Sequence, residues 1–402
     1  MARITQATKI EQDNEDHALA FFEQMLGQLP DPRRAQGRRY PLRSVVVIAL
    51  MAMICGSDDA EAMELWGEAH EEWLSGFLPL PHGTPTQDVF LAVFASLNPQ
   101  AFGAVLRAWA EVLVSRLAGV GKHIAVDGKT SRRSFDTASG QPALHTVSAY
   151  LTDAGVVLGQ TKTRAKSNEI TAIPELLRLL DLRSATVTID AMGCQTEIAK
   201  TIVTGGGDYL LAVKENQPSL HADIAATFAE ADDARRRTVD ELPRPEVILV
   251  EDVDKGHGRI EKRVVKTCRD LSWLSSQKRW TGLTYLVEVV RERTLLSTGK
   301  TTTDTAYYIG SNLEISTTHV AHIIRRHWAI ENELHWVLDV AFREDDARHR
   351  AKNTAQNMTT LRHFSINIIK RDKNRKVGVS NSRKRAGWDQ GYLLALLQGA
   401  SS

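Results

Sequence analysis

Two short segments, each ending in an aspartate, decide the fold of this chain: His-Ile-Ala-Val-Asp at residues 123–127 and Ala-Thr-Val-Thr-Ile-Asp at residues 185–190. Both are rich in apolar and β-branched residues, which favours β-strands. Asp127 and Asp190 therefore stand at strand ends, where a carboxylate can point out of a sheet toward a bound ion. Mg²⁺ prefers hard oxygen ligands, so the two carboxylates are candidate metal ligands.

The surrounding sequence predicts an α/β domain. Strands are predicted at residues 123–127, 145–151, 156–163, 185–190 and 209–213. A hairpin turn is predicted at residues 152–155, and helices are predicted at 168–180 and 196–203. Three strands followed by βαβ crossovers give a mixed sheet flanked by helices, which is the ribonuclease-H-like order.

The pattern along the whole chain predicts three regions. Residues 1–118 read as an all-helical domain that binds DNA, with a plain helical bundle as the alternative. Residues 119–375 form the predicted catalytic domain, with a β-rich insertion at about residues 235–312. Residues 376–402 are predicted to be a basic C-terminal tail, loose until about residue 392.

The composition is that of an ordinary globular protein with local basic patches. The chain has 402 residues, of which 43% are hydrophobic, and a formal net charge of +1. Arginines cluster at residues 33–43 and cations at 348–385, which fits phosphate contacts or solvated surface charge. The three cysteines are scattered, no signal peptide is recognised, and the longest apolar run, at residues 45–55, is too short to cross a bilayer. We therefore expect a cytoplasmic protein without a membrane segment.

A third candidate ligand, Glu331, lies in a helix predicted at about residues 317–342. Glu333 is two positions away, roughly 200° around the helix, so the two side chains cannot face the same site. Glu331 shares a polar stripe with His327 and His335, which favours Glu331 as the site residue. A zinc site on this stripe and a plain surface location are the alternatives.

Other polar residues near the three carboxylates are candidate DNA contacts. They are Lys129, Lys214, Asn216, Arg325, Arg326, His327, His335 and Arg348. For residues 214–217 a helix-capping loop is the alternative. Trp328 and Trp336 are expected to pack in the core, with stacking on a base as the alternative. The acidic residues 344–346 are expected to be solvated or paired with Arg348 and Arg350 rather than bound to metal.

These motifs resemble those of the DDE transposases of bacterial insertion sequences, most closely the H-repeat-associated branch. The resemblance covers nearly the whole chain, through blocks at residues 29–33 with 39–42, 125–129, 189–195, 213–217 and 327–340. It implies that Asp127, Asp190 and Glu331 form a metal-binding triad that holds Mg²⁺ or Mn²⁺, as two ions.

One signature of related transposases is altered here. A Tyr–Arg–Glu–Lys pattern often surrounds the glutamate, but His327 takes the arginine position and Leu338 the lysine position. The resemblance therefore supports strand cleavage and does not extend to hairpin chemistry on the flanking DNA. Lys214 or Arg348 could supply the missing cation.

The resemblance implies a reaction and a set of partners. The expected reaction is cleavage of double-stranded DNA at terminal inverted repeats, followed by attack of the freed 3′-hydroxyl on target DNA. A homodimer is expected in the active complex, in the bacterial cytoplasm and at the nucleoid when DNA is bound. The alternatives are a ribonuclease-H-like nuclease without strand transfer, an inactive DNA-binding relic, and a helical interaction module joined to an unrelated α/β domain.

Overall fold

The computed structural model describes residues 24–115, 122–137, 140–163, 169–236, 246–256, 258–372 and 376–398. The chain divides into two compact units. The first comprises Met1–Val120, Gly128–Ala165 and Glu331–Ser402, and the second comprises Gly121–Asp127 and Lys166–Ile330. Both units are assembled from segments far apart in sequence. The linear boundaries at residues 118 and 375 stay predictions.

The strands and helices have the following bounds. The strands are β1 (His123–Ser131), β2 (Leu144–Leu151), β3 (Val156–Lys162), β4 (Thr186–Ile189), β5 (Asp208–Val213), β6 (Val247–Gly256), β7 (Arg259–Cys268), β8 (Tyr285–Leu295) and β9 (Thr301–Gly310). The α-helices are α1 (Leu42–Ile54), α2 (Ala60–Ala69), α3 (Glu71–Ser75), α4 (Gln87–Ser96), α5 (Pro99–Ser115), α6 (Glu169–Leu177), α7 (Thr196–Thr204), α8 (Pro218–Arg236), α9 (Thr317–His327), α10 (Trp336–Phe342), α11 (Thr354–Lys370), α12 (Val379–Trp388) and α13 (Gln390–Gln398).

The second unit is built on a sheet with the strand order β1-β4-β5-β9-β8-β7-β6. β1, β4 and β5 are parallel, and the remaining pairs are antiparallel. The strands predicted as a β-rich insertion therefore extend the sheet itself, because β9 pairs directly with β5. The mixed α/β architecture predicted from the sequence is confirmed.

Helix α9 packs on this sheet through an apolar stripe. Ser316 begins the helix by accepting a hydrogen bond from the His319 amide at 3.2 Å. Val320, Ile323 and Ile324 then recur at helical spacing and are buried in one cluster with residues of β7 and β8. This packing holds the helix whose end leads to Glu331.

The first unit combines the strands β3-β2-β1 with the helices at both ends of the chain. Its central element is the almost fully buried α11. The Asn367 side chain bonds both the backbone N–H and the C=O of Val157 in β3, at 2.8 and 2.9 Å. On another side, Asn357 donates to the carbonyls of Phe94 and Leu97 at the end of α4. These bonds satisfy buried backbone groups and fix α11 between the strands and the helices.

The predicted continuous helix at residues 317–342 is broken. α9 ends at His327, a π-helix spans Ile330–His335, and α10 begins at Trp336. π-Helical turns are rare and occur frequently at functional sites. The prediction of an unbroken helix was wrong because apolar periodicity does not reveal a locally widened turn.

Two predictions at the chain ends have different outcomes. Apolar residues at helical spacing predict a helix at residues 17–29; only positions from 24 onward are described, and residues 24–27 are helical. The C-terminal region was predicted to be loose until about residue 392, but α12 already begins at Val379 and buries Arg383. The high polarity of this segment concealed its packing, because Arg383 bonds the Met53 carbonyl and Asp58.

Among the described residues, no single helix is both long and apolar enough to cross a membrane. α4 and α5, bent by 90° at their junction, meet the length and composition criteria only when taken as a pair.

Candidate active site

The two aspartates are neighbours in the second unit. Asp190 follows the last residue of β4, but the prediction that the first strand ends at Asp127 was wrong, because β1 continues through Asp127 to Ser131. Val126 of β1 pairs with Ile189 of the parallel strand β4. Asp127 and Asp190 follow these partners directly, so the register brings both side chains to the same face of the sheet, at the carboxyl end of β4. Adjacent strands lie about 4.8 Å apart, close enough for two carboxylates to bind common cations.

The carboxylate of Asp190 is held in an electrostatically unfavourable position. Burial raises the pKa of Asp190, and the carboxylate of Glu169 raises it further. The Gly193 amide donates to Asp190 Oδ1 at 3.3 Å and, with Lys214, acts in the opposite direction. The net effect is a raised pKa, so a cation at this position would be favoured.

The turn after Asp190 is fixed by close packing and by one predicted DNA contact. A Cβ atom at Gly193 would lie 2.2 Å from Cγ2 of Ile189, so only glycine fits there. Asn216 donates to the Ala191 carbonyl at 2.6 Å, which ties the loop after β5 to this turn. Its role as a DNA contact stays a prediction, as does that of the exposed Lys214 at the end of β5.

A cavity of about 350 Å³ opens in the first unit beside the π-helix. Its lining residues are Gly128, Lys129, Thr130, Arg132, Glu331, His335, Asp339 and Asp345. Glu331 is 48% exposed, and its Oε1 lies 3.6 Å from Nδ1 of the buried His335. The polar stripe predicted from the sequence is thus present at Glu331 and His335, and Asp339 continues it by one helical turn.

Glu333 faces a different set of partners in the first unit. The Tyr150 hydroxyl donates to Glu333 Oε2 at 3.1 Å, and Lys370 Nζ lies 3.6 Å from the same oxygen. Lys370 also bonds the Tyr150 hydroxyl. Because Glu333 is occupied by these groups and does not line the cavity, the geometry favours Glu331 as the site residue.

Lys129 is surrounded by carboxylates of the first unit. Its Nζ lies 2.7 Å from Asp339, 3.3 Å from Asp345 and 3.7 Å from Glu344. Burial lowers the pKa of Lys129, but the three carboxylates outweigh burial and the pKa is raised. Lys129 therefore stays charged and offsets part of the negative charge on one wall of the cavity. Its role as a phosphate contact stays a prediction.

The acidic residues 344–346 differ in exposure: Glu344 is buried, Asp345 is half-buried and Asp346 is exposed, as predicted for a solvated residue. Glu344 is 1% exposed and contacts Arg362 at 3.4 Å and the Thr359 hydroxyl at 2.9 Å. Asp345 pairs with Arg132, and Asp346 pairs with Arg343. Among the described residues, none of the three forms an ion pair with Arg348 or Arg350, and Glu344 is buried rather than solvated, just after the left-handed Arg343 that ends α10.

The cations predicted before Glu331 lie in different settings within the second unit. Arg325 bonds Asp252 at 3.1 Å and Asp254 at 2.6 Å, both on β6. Arg326 is half-buried, and His327 Nδ1 lies 2.8 Å from the Thr188 hydroxyl. In the first unit, Arg348 is exposed. DNA contacts by all of these residues stay predictions.

The two tryptophans near Glu331 are not core residues. Trp328 is 53% exposed in the second unit, and Trp336 is 61% exposed in the first. The expectation of core packing is therefore wrong for both, and stacking on a base stays a prediction.

Residues 118–368 match the family "Transposase DDE domain", and residues 23–110 match the family "DDE_Tnp_1-associated". The chain belongs to the DDE transposase family.

Relatives in Escherichia coli (strain K12) agree with this membership. The protein YbfL is 36% identical over 375 residues, covering 92% of this chain and 96% of its own length. The "H repeat-associated putative transposase YhhI" is 35% identical over the same coverage. The structure of a piggyBac transposase in a synaptic complex with hairpin DNA is similar over 94% of this chain and 80% of that chain. The TM-score is 0.41 and the sequence identity is 8%, so this similarity carries no argument.

The family membership confirms several predictions. The chain is a DDE-type DNA transposase, and the predicted resemblance to the H-repeat-associated branch is confirmed. The DDE domain implies use of a divalent metal. Sequence patterns did not reveal two sets of contacts near the site of this transposase. One is the bonding of Glu333 by Tyr150 and Lys370, and the other is the buried Glu344–Arg362 pair. Lys129 and Asp339 are 210 positions apart, so no local pattern could have linked them.

Proposed function

We propose that Asp127, Asp190 and Glu331 are the catalytic carboxylates of this transposase and that they bind two Mg²⁺ or Mn²⁺ ions. The observation that carries the proposal is the β1–β4 register, which sets two aspartates side by side at one sheet edge. Glu331 adds an accessible carboxylate on a polar cavity. A donor set dominated by carboxylate oxygens suits hard divalent cations better than zinc.

The proposed reaction has two in-line displacements on phosphorus. Water attacks the phosphodiester at a terminal inverted repeat and releases a 3′-hydroxyl. That hydroxyl then attacks a target phosphodiester, so one bond forms as another breaks. When bound, the two ions activate the attacking oxygen and stabilise the leaving oxygen. The carboxylates contribute negative charge fixed at the sheet edge, where the turn after Asp190 is held by Gly193 and Asn216.

The protein's cations supply the proposed DNA contacts. Lys214 follows β5 at the same edge as Asp190 and is exposed to solvent. Arg326 and Arg348 are further candidates, and Arg325 can contact phosphate once it leaves Asp252 and Asp254. We further propose that two copies of the chain pair two DNA ends, since strand transfer joins both ends of an element.

The test is a reaction of the full chain with DNA that carries the inverted repeats flanking this gene. We expect nicks at the repeat boundary in Mg²⁺ or Mn²⁺, none after chelation with EDTA, and covalent joining of the freed 3′ end to target DNA. A gel that resolves nicked and joined products measures both steps. Cleavage without joining would favour a ribonuclease-H-like nuclease, and binding without metal-dependent cleavage would contradict the proposal.

A further inference from the structure

One hydroxyl group in the second unit bonds two histidines from different elements. Thr188 Oγ1 lies 2.9 Å from Nε2 of His123 in β1 and 2.8 Å from Nδ1 of His327 at the end of α9. A threonine hydroxyl has one hydrogen and two lone pairs, so it can donate to one ring and accept from the other. Thr188 therefore links two strands and a helix through a single atom.

This link lies on the same face of the sheet as Asp127 and Asp190. Side chains alternate along a strand, so His123 and Asp127 share a face of β1, and Thr188 and Asp190 share a face of β4. In the β1–β4 register, Ala125 is the partner of Thr188. Its small side chain leaves space beside the hydroxyl for two imidazole rings.

Burial keeps the His123 end of the link uncharged and makes the contact between His123 and Thr188 costly to disrupt. His123 is 3% exposed and Thr188 is 3% exposed. Burial lowers the pKa of His123 to about 3, so its ring is uncharged at any working pH. A buried polar group that loses its partner cannot turn to water, so removal of the hydroxyl would force a rearrangement around both rings.

The other end of α9 has a comparable contact that lies away from the aspartates. The hydroxyls of Thr267 in β7 and Thr317 at the first turn of α9 are 2.7 Å apart. The apolar stripe of α9 holds the helix on the sheet, and such packing fixes rotation about the helix less strictly than a directional hydrogen bond does. The two hydroxyl contacts thus define the two ends of the helix.

We propose that Thr188 is a positioning residue for the transposase reaction, which orients the last turn of α9 through His327 and so sets the backbone leading to Glu331. This inference rests on the proposed roles of Asp127, Asp190 and Glu331. It also gives His327, which takes the place of an arginine in related transposases, a function other than DNA contact.

The experiment compares full-length variants that remove or keep the hydroxyl. Thr188→Val keeps the shape and loses the hydroxyl, Thr188→Ser keeps the hydroxyl, and Thr267→Val removes the contact at the far end of α9. We expect Thr188→Val to lower the cleavage rate by about 10- to 100-fold, as changes behind a metal site do, with unchanged DNA affinity. Thr188→Ser and Thr267→Val should cleave at nearly the wild-type rate.

A second readout does not depend on activity. Amide hydrogen exchange at residues 325–330 should accelerate in Thr188→Val, whereas Thr267→Val should accelerate exchange only at the start of α9. If Thr188→Val does not fold, His327→Phe replaces it: phenylalanine cannot bond the Thr188 hydroxyl, so cleavage should fall and amide exchange at residues 325–330 should accelerate, with unchanged DNA affinity.

Either of two results would overturn the proposal. One is equal loss of cleavage in Thr188→Val and Thr267→Val at matched melting temperature, which would mean general destabilisation. The other is wild-type cleavage by Thr188→Val. Cleavage by an Asp190→Asn variant assayed alongside would instead refute the catalytic triad, and this inference with it.

Discussion

Asp190→Asn is expected to abolish DNA cleavage, lowering its rate by about 10³-fold or more, with little change in DNA affinity. Asparagine keeps the shape of the side chain, and its Oδ1 can still accept the hydrogen bond from the Gly193 amide. Only the negative charge beside Asp127 is lost. Because burial and Glu169 already disfavour that charge, the variant should fold at least as stably as the wild type.

The matched control for Asp190→Asn is the same substitution at an aspartate outside the proposed site. Asp181, in the same unit, is exposed and bonds Arg183 at 2.8 Å. Asp181→Asn should therefore cleave like the wild type. Single-turnover cleavage and fluorescence anisotropy with labelled repeat DNA separate chemistry from binding. Equal cleavage by the two variants would remove Asp190 from the catalytic site.

Glu344→Gln is expected to destabilise the first unit by about 3–5 kcal/mol. Glu344 is the carboxylate paired with Arg362, and the two side chains are 1% and 2% exposed. Without that charge, the Arg362 guanidinium stays buried with no carboxylate in ion-pair contact among the described residues. Lys129 would also lose one of its three carboxylates, at the wall of the cavity.

Urea unfolding measures the loss of stability in Glu344→Gln, and two further variants serve as comparisons. Asp346→Asn changes the exposed ion pair with Arg343 in the same acidic segment and should alter stability by less than about 1 kcal/mol. Glu344→Gln combined with Arg362→Met removes both buried charges and should recover much of the loss. If Glu344→Gln unfolds at the same urea concentration as Asp346→Asn, the buried pair does not stabilise the unit.

Local sequence patterns were sufficient to predict the strands that carry Asp127 and the residues before Asp190. The runs at residues 123–127 and 185–190 have the β-branched composition of strands, and the β-β-β-α-β-α-β order follows from similar local signals, but the continuation of β1 to Ser131 was not predicted. Family motifs then gave the transposase function. These features depend on neighbours within about ten positions, which a sequence displays directly.

Contacts between distant segments could not be predicted in the same way. The burial of Glu344 requires Arg362 on α11, and Lys129 bonds Asp339, which is 210 positions away in the sequence. The π-helix at Ile330–His335 has no signature in apolar periodicity. For this reason the choice of Glu331 over Glu333, made from helical geometry, gained its physical support only from the partners of Glu333.

The most direct test of the catalytic assignment is the cleavage rate of Glu331→Gln against Glu333→Gln, on DNA with the flanking inverted repeats and in Mg²⁺. The two residues are two positions apart, but only Glu331 lines the cavity, whereas Glu333 bonds Tyr150. We predict that Glu331→Gln loses metal-dependent nicking at the repeat boundary, while Glu333→Gln retains it with a lower melting temperature. The reverse pattern, or full nicking by Glu331→Gln, would contradict the assignment.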